Sequence, residues 1–174
     1  MSRVAGMSAP FVIRPAGRDD LDVIAAIQEA AIMRFGVRAY GQEGARIWAR
    51  IGYEVRHDLL DQGTFFVAEW PGRVIGVGGW SPDGVDPALA WIRYLFVHPD
   101  AARQGTGRAL LAVTERSALA AGRLRFEVWS SLNAVGFYQA QGYRRLRPGR
   151  WPLGGRTELD YVLMDKRPRP AQSG

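Results

Sequence analysis

Between Thr64 and Val97 three strand-like runs follow one another with only short connections: "TFFVAEW", "RVIGVGGW" and "ALAWIRYLFV". Each is rich in β-branched and aromatic residues, and Pro71-Gly72 between the first two is a turn signal. The polar loop "SPDGVDP" between the second and third holds no helical pattern. A parallel pairing needs a crossover of a dozen residues or more, so these strands pair in sequence and antiparallel. A doubly wound sheet is excluded.

The flanking segments fill out the order. "FVIRPA" reads as a first strand, and Arg18-Asp19-Asp20 starts a helix with carboxylates at its positive end. Leu21, Ile24, Ile27, Ala31 and Phe35 recur at helical spacing, and "FGVRAYGQEG" breaks that helix. Ile47, Trp48, Ile51, Val55 and Leu59 predict a second helix that stops near Gly63. Past Val97 come a helix over Gly107 to Ala121, the strand "LRFEVWS", a short helix from Asn133 to Gln141, and the strands "YRRLRP" and "TELDYVLMDK". The order β-α-α-β-β-β-α-β-α-β-β is that of an α+β (mixed α/β) fold. We read one domain over residues 10–166, with loose tails at 1–9 and 167–174.

Composition narrows the chemistry. The chain has no cysteine and only two histidines, His57 and His98. Disulfide frameworks, thiolate metal sites, cysteine nucleophiles and histidine-rich metal centres are thereby excluded; a metal held by carboxylates alone stays open but has no clustered motif behind it, and no metal is expected. The start "MSRVAGMSAP" lacks the apolar stretch of a signal peptide, and no apolar run approaches about 18 residues. The expectation is a soluble, cytoplasmic protein with no membrane partner. The net charge of +6 favours polyanionic partners, with a merely basic surface as the plain alternative. Arg144, Arg145, Arg147 and Arg150 cluster, but no helix-turn-helix, zinc finger or RNA-binding aromatic pattern accompanies them, so nucleic acid is not expected.

The most informative loop follows the strongest strand: "HPDAARQGTGRALLA". Gly105 and Gly107 leave the backbone bare where a helix begins. The free amides of a first helical turn, with the helix dipole behind them, bind phosphate, and Arg103 and Arg108 add positive charge. Alone, the pattern is also that of a tight turn with solvated arginines. It is not the dinucleotide fingerprint, because Leu110 stands where a third glycine belongs, and it lacks the Gly-Lys-Ser/Thr of a P-loop.

About 25 residues on comes "NAVGFYQAQGY". Val97-His98-Pro99, then Gly105-Thr106-Gly107, then Ala134 with Tyr138, then Gly142-Tyr143 together resemble the GNAT superfamily of acyl-CoA-dependent N-acetyltransferases. The resemblance spans about residues 11–165. It implies a mostly antiparallel sheet of about seven strands, splayed between the fourth and fifth and flanked by about four helices. It implies acetyl-CoA as co-substrate and a primary amine, read as a small molecule, as acceptor. The alternative is a catalytically silent CoA-binding module of the same fold.

Carried over residue by residue, the resemblance implies that the backbone of Leu95, Phe96 and Val97 pairs with the pantetheine arm. The amides of Gln104, Gly105, Thr106, Gly107 and Arg108 would hold the pyrophosphate, with Arg103 supplying charge where the family has Gln or Arg one residue earlier and this chain has Ala102. Tyr138 would protonate the departing thiolate; as a packed helix aromatic it would do nothing. The family's cofactor-binding asparagine falls at Ser131 here, and Asn133 either substitutes for it or caps the short helix. The general base is open. Trp91 stands where the family often has a glutamate, and Glu127, Glu54, His57 and Asp58 are candidates.

Acceptor specificity is expected in the first two helices, the Ser81 to Pro87 loop and the last hairpin. Tyr40, Trp48, Tyr53, Trp80, Trp91, Trp129 and Trp151 supply aromatic surface near them, and Asp83 and Asp86 either attract a cationic amine or form turns. A homodimer is left open, with "YVLMDK" as a candidate edge.

Overall fold

The computed structural model describes residues 11–51, 60–154 and 157–168. Seven strands, β1 (Val12–Pro15), β2 (Phe65–Trp70), β3 (Arg73–Pro82), β4 (Leu89–Val97), β5 (Arg125–Ser131), β6 (Arg144–Gly154) and β7 (Thr157–Lys166), form one sheet. The α-helices bounded within the described residues are α1 (Leu21–Ala31), α2 (Val37–Ile51), α3 (Thr106–Ala120) and α4 (Val135–Ala140). The spatial order is β1-β2-β3-β4-β5-β7-β6. Neighbours are antiparallel except β4 and β5, which α3 connects as a crossover. No described helix is long and apolar enough to cross a membrane.

The sheet has two different faces. On one, α3 and α4 pack Leu111, Ala118 and Tyr138 against Phe126, Val128 and Met164. On the other, Ile24 and Ile27 of α1 meet Phe65, Val67 and Val77. Burial of each large apolar side chain contributes about 1.5–3 kcal/mol. β3 carries "GVGG" because helix and strand crowd it from both sides. A Cβ at Gly76 would lie 2.9 Å from Leu110 Cδ1, and one at Gly79 would land on the Phe65 ring and 2.6 Å from the Thr64 carbonyl.

The structure bears on two further expectations. The break expected in "FGVRAYGQEG" is present, at Gly41, where φ is 71° and ψ 170°. It does not fall at Phe35-Gly36, because a π-helical turn over Ile32–Gly36 carries the first helix on into α2. The wider turn shifts the helical phase, so Ile32 is buried and Phe35, placed on the apolar stripe by its spacing, turns outward. Gly36 makes the turn worthwhile, since Trp48 packs against its bare face, 3.2 Å from where a Cβ would stand. "YVLMDK" is no edge either: β7 lies between β5 and β6, and the sheet's edges are β1 and β6.

Candidate active site

β4 and β5 pair at Leu89–Arg125, Ala90–Phe126 and Trp91–Glu127, and nowhere beyond. Both strands continue, β4 to Val97 and β5 to Ser131, without touching. A bulge in β4 lies at the parting. Phe96 faces Val77 and Arg93 faces Gly79, so Gly78 alone opposes both Tyr94 and Leu95. Bulges bend a strand and increase its twist. Tyr94 takes a φ of 51° to make it, an arrangement that costs about 1–3 kcal/mol outside glycine. Gly78 lets Leu95 lie across the strand, since a Cβ there would meet Leu95 Cδ1 at 2.8 Å. Tyr94 and Phe96 then pack towards α1, and Leu95 towards α3.

The gap holds a cavity of about 450 Å³. Ile92, Leu95 and Phe96 wall it on the β4 side and Val128, Ser130 and Ser131 on the β5 side, with Tyr138 of α4 at its margin. Gln28, Ile32, Tyr40 and Trp48 line it from the helical side, and Trp151, Asp160 and Tyr161 from the last hairpin. The Tyr40 hydroxyl donates to the Asp160 carbonyl (2.8 Å) and accepts from the Leu132 amide (2.7 Å), tying α2 across to β7 and to the turn after β5.

Beyond Val97 the chain turns sharply. The His98 amide donates to the Ile75 carbonyl at 2.8 Å, and His98 Nδ1 accepts from the Asp100 amide at 3.1 Å. Arg103 has a φ of 62° and Gly105 a φ of 81°. Tyr94 and Arg103 are the non-glycine residues with positive φ among those described, and both lie at this site. The first bond that closes α3 runs from the Ala109 amide to the Gly105 carbonyl (3.0 Å). The amides of Gln104 to Arg108 donate to no other described residue. Five unpaired main-chain donors therefore open α3 beside two exposed arginines, Arg103 and Arg108. That donor set fits a diphosphate. A Cβ at Gly105 would meet nothing within 4 Å, and one at Gly107 would touch Val97 Cγ2 and Phe137 Cε2 at 3.5 Å. The loop thus sits at the open end of β4, with Gly107 against Phe137 of α4.

Tyr138 is buried at 5% exposure, with its ring edge-on to Phe137 and Tyr143. Burial, and secondly the nearby Glu115 charge, push its phenol well above the ordinary tyrosine value. It holds its proton at any neutral pH. Asn133 is exposed in a 3-10 turn over Leu132–Ala134, and neither that turn nor α4 has a side-chain cap. Of the two asparagine candidates' positions, the cavity wall contains Ser131.

The base candidates are dispersed. Glu54, His57 and Asp58, like Tyr53, lie outside the described residues. Glu127 stands where β4 and β5 are still paired, 3.3 Å from Arg125 Nε, its carboxyl raised by burial. Trp91 faces away from α3, donates to Asp83 Oδ2 at 2.9 Å and has its ring 5.4 Å from that of Trp129. Asp83 also accepts from the Val85 and Asp86 amides, which with the Trp91 bond lowers its carboxyl to about 2. The loop aspartates are turn-formers that anchor Trp91. Trp80 belongs to the α3 face, its Nε1 bonded to Ser117 Oγ at 3.0 Å, and does not border the cavity. The spacing reading passed over Gln28, a polar residue inside the buried stripe Ile24, Ile27, Ala31. Its position four residues after Ile24 was the signal.

A family model described as an acetyltransferase (GNAT) domain matches residues 61–145. The GCN5-related N-acetyltransferase of Rhodopseudomonas palustris is similar over 94% of this chain and 98% of its own, with a TM-score of 0.79 and 27% identity. The PaiA N-acetyltransferase of Thermoplasma acidophilum, solved with coenzyme A, matches at a TM-score of 0.73 and 19% identity over 92% and 99% of the two chains. YncA of Salmonella typhimurium, solved with its cofactor acetyl-CoA, matches at 0.64 and 21% over 94% and 97%. No curated protein sequence matches significantly. Residues 61–145 thus match the acetyltransferase (GNAT) domain, and nearly the whole chain is similar in fold to N-acetyltransferases.

Proposed function

We propose that the protein transfers the acetyl group of acetyl-CoA to a primary amine, by direct attack within a ternary complex. The observation that carries this reading is the parting of β4 from β5 after Trp91–Glu127, with five unpaired amides at the far end of the gap. Solved relatives with coenzyme A or acetyl-CoA support it. Gln104 to Arg108 hold the diphosphate through their amides, with Arg103 and Arg108 as flanking charges. The freed backbone of Leu95, Phe96 and Val97 offers the hydrogen bonds that β5 does not take.

Bound there, acetyl-CoA supplies an activated acyl carbon and a thiolate leaving group. The rest is the work of this chain. The walls of the cavity keep the amine beside the acyl carbon, and such placement is worth several kcal/mol. A main-chain amide near Val97 stabilises the oxygen that gains charge. Tyr138, kept protonated by burial, donates its proton to the departing sulfur; the attacking amine releases one proton to solvent as the N–C bond forms, and solvent returns one to Tyr138. No covalent enzyme intermediate is required, and the chain has no cysteine to form one. We propose a small-molecule acceptor and a cytoplasmic setting.

The test is acetyl-CoA-dependent thiol release across a panel of amines, alongside calorimetric binding of acetyl-CoA. Release with at least one amine supports the reading. Tight cofactor binding with no release on a broad panel makes this a silent binding module.

A further inference from the structure

α1 presents Ile24, Ile27, Gln28 and Ala31 as one buried stripe at helical spacing. Three are apolar. The fourth is a primary amide, 3% exposed, whose side chain lines the cavity; its Oε1 is itself closed off from the cavity space and has no hydrogen-bond partner among the described residues, so a donor reaches it only once the amide turns. An unpaired buried carbonyl is costly, and an apolar residue of similar size would be more stable there. The site therefore maintains an acceptor atom for a donor that enters from outside. The terminal torsion of a glutamine is soft, so the amide can turn onto an incoming group. A carbonyl only accepts, so that group carries N–H or O–H.

The surroundings state what else it carries. The same cavity has an aromatic wall: the Tyr40 and Trp48 rings lie 5.6 Å apart and those of Trp48 and Phe96 6.1 Å. Asp160 is the one carboxylate among the described lining residues. It is 61% exposed and sits 3.3 Å from Arg150 Nε, so it offers no buried anion to an ammonium group. The cation of the described wall, Arg93, lies over both the Trp91 and Trp129 rings, 5.3 and 5.2 Å from their centroids, and opposes a polycationic guest.

Building on the acyl-transfer reading above, we infer that Gln28 selects the acceptor: its Oε1 takes the N–H of an amine borne on a flat apolar body that rests against Tyr40, Trp48 and Phe96. Gln28 acts as a specificity residue; no proton transfer is assigned to it.

The experiment uses the full chain, its Gln28→Leu and Gln28→Glu variants, and phenylethylamine, spermidine and glucosamine as probes. Direct amine binding is measured by calorimetry, with melting temperature as a second readout. Phenylethylamine is expected to bind wild type best of the three and to bind Gln28→Leu about tenfold more weakly. Gln28→Glu, which still accepts, restores most of that loss. Gln28→Leu is expected to melt roughly 2–4 °C higher, because the orphan carbonyl is gone. A residue held by internal bonds would give the opposite shift. Unchanged phenylethylamine affinity in Gln28→Leu, a lower melting temperature, preference for spermidine or glucosamine, or no phenylethylamine binding to wild type would each overturn the inference. Acetyl-CoA binding to wild type is recorded separately; its absence sinks the acyl-transfer reading and leaves the amine result to be judged by itself.

Discussion

Trp91 and Glu127 are the last residues at which β4 and β5 lie in register; one step on, at Ile92 and Val128, the strands have parted and both residues wall the cavity. The parting is built in. The bulge opposite Gly78 bends β4 just past this point, and the two residues that bear positive φ without being glycine stand at either end of the bent segment's exit, Tyr94 in the strand and Arg103 in the loop. Strain at such places is tolerated when the surrounding packing holds it.

The loop should respond to charge more than to size at Gly107. A Cβ there makes only ordinary contacts at 3.5 Å. Gly107→Ala is expected to keep acetyl-CoA affinity within a few-fold, whereas Gly107→Asp, with a carboxylate beside the phosphate amides, abolishes it. Calorimetric titration of both variants decides; equal behaviour would show that no phosphate sits there.

Tyr138→Phe should leave acetyl-CoA binding intact and lower kcat by about 10²-fold, the scale of a lost general acid. Because burial raises the phenol's pKa, its ionisation should contribute no alkaline fall in the wild-type rate profile below the ordinary tyrosine range near 10. Undiminished turnover in the variant removes the acid role.

Tyr40→Phe removes both bonds that tie α2 to Asp160 and Leu132. A cost of about 1 kcal/mol in unfolding free energy is expected, with a larger proportional rise in the amine KM than in the acetyl-CoA KM. Denaturant melts and steady-state kinetics check the pair of effects.

Arg14 Nη1 and Nη2 each reach the Asp20 carboxylate at 2.8 Å, and the Gly17 amide reaches it at 2.8 Å, joining β1 to the start of α1. The Arg14 bonds hold the Asp20 carboxyl below its usual value. The folded state thus favours the charged form. Its contribution is complete above the unfolded aspartate value near 3.9 and fades as pH falls through the lower folded value. Asp20→Asn should cost on the order of 1–2 kcal/mol at pH 7, reduced by the 41% exposure of Arg14, and the difference from wild type should shrink in strong acid. Thermal melts from pH 7 downward test both.

Gly79→Ala should be the most damaging single methyl in the sheet. Its Cβ would fall onto the Phe65 ring and 2.6 Å from the Thr64 carbonyl, and a backbone oxygen at that distance must be moved. Loss of more than about 2 kcal/mol is expected from such overpacking. A circular-dichroism melt close to that of wild type would contradict the packing described for β3.

The chain's local signals determined a good deal unaided. The short links between "TFFVAEW", "RVIGVGGW" and "ALAWIRYLFV" forced antiparallel neighbours, because no chain that short can cross over, and the glycines of "RQGTGR" marked a turn into a helix, because glycine takes the positive φ such a turn uses. Tertiary structure decided what has no local cost to read. The bulge at Tyr94 puts Ile92 on the α3 face and Tyr94, two residues on, with α1, a reversal of the strand's alternation that no local pattern announces. The π-turn at Ile32–Gly36 exists because Trp48 packs on Gly36, and it overrode the spacing that placed Phe35 inside. Gln28 looks like any helix glutamine in sequence; only the packing of α1 against the sheet buries it, and only the gap between two parted strands brings it to a cavity wall.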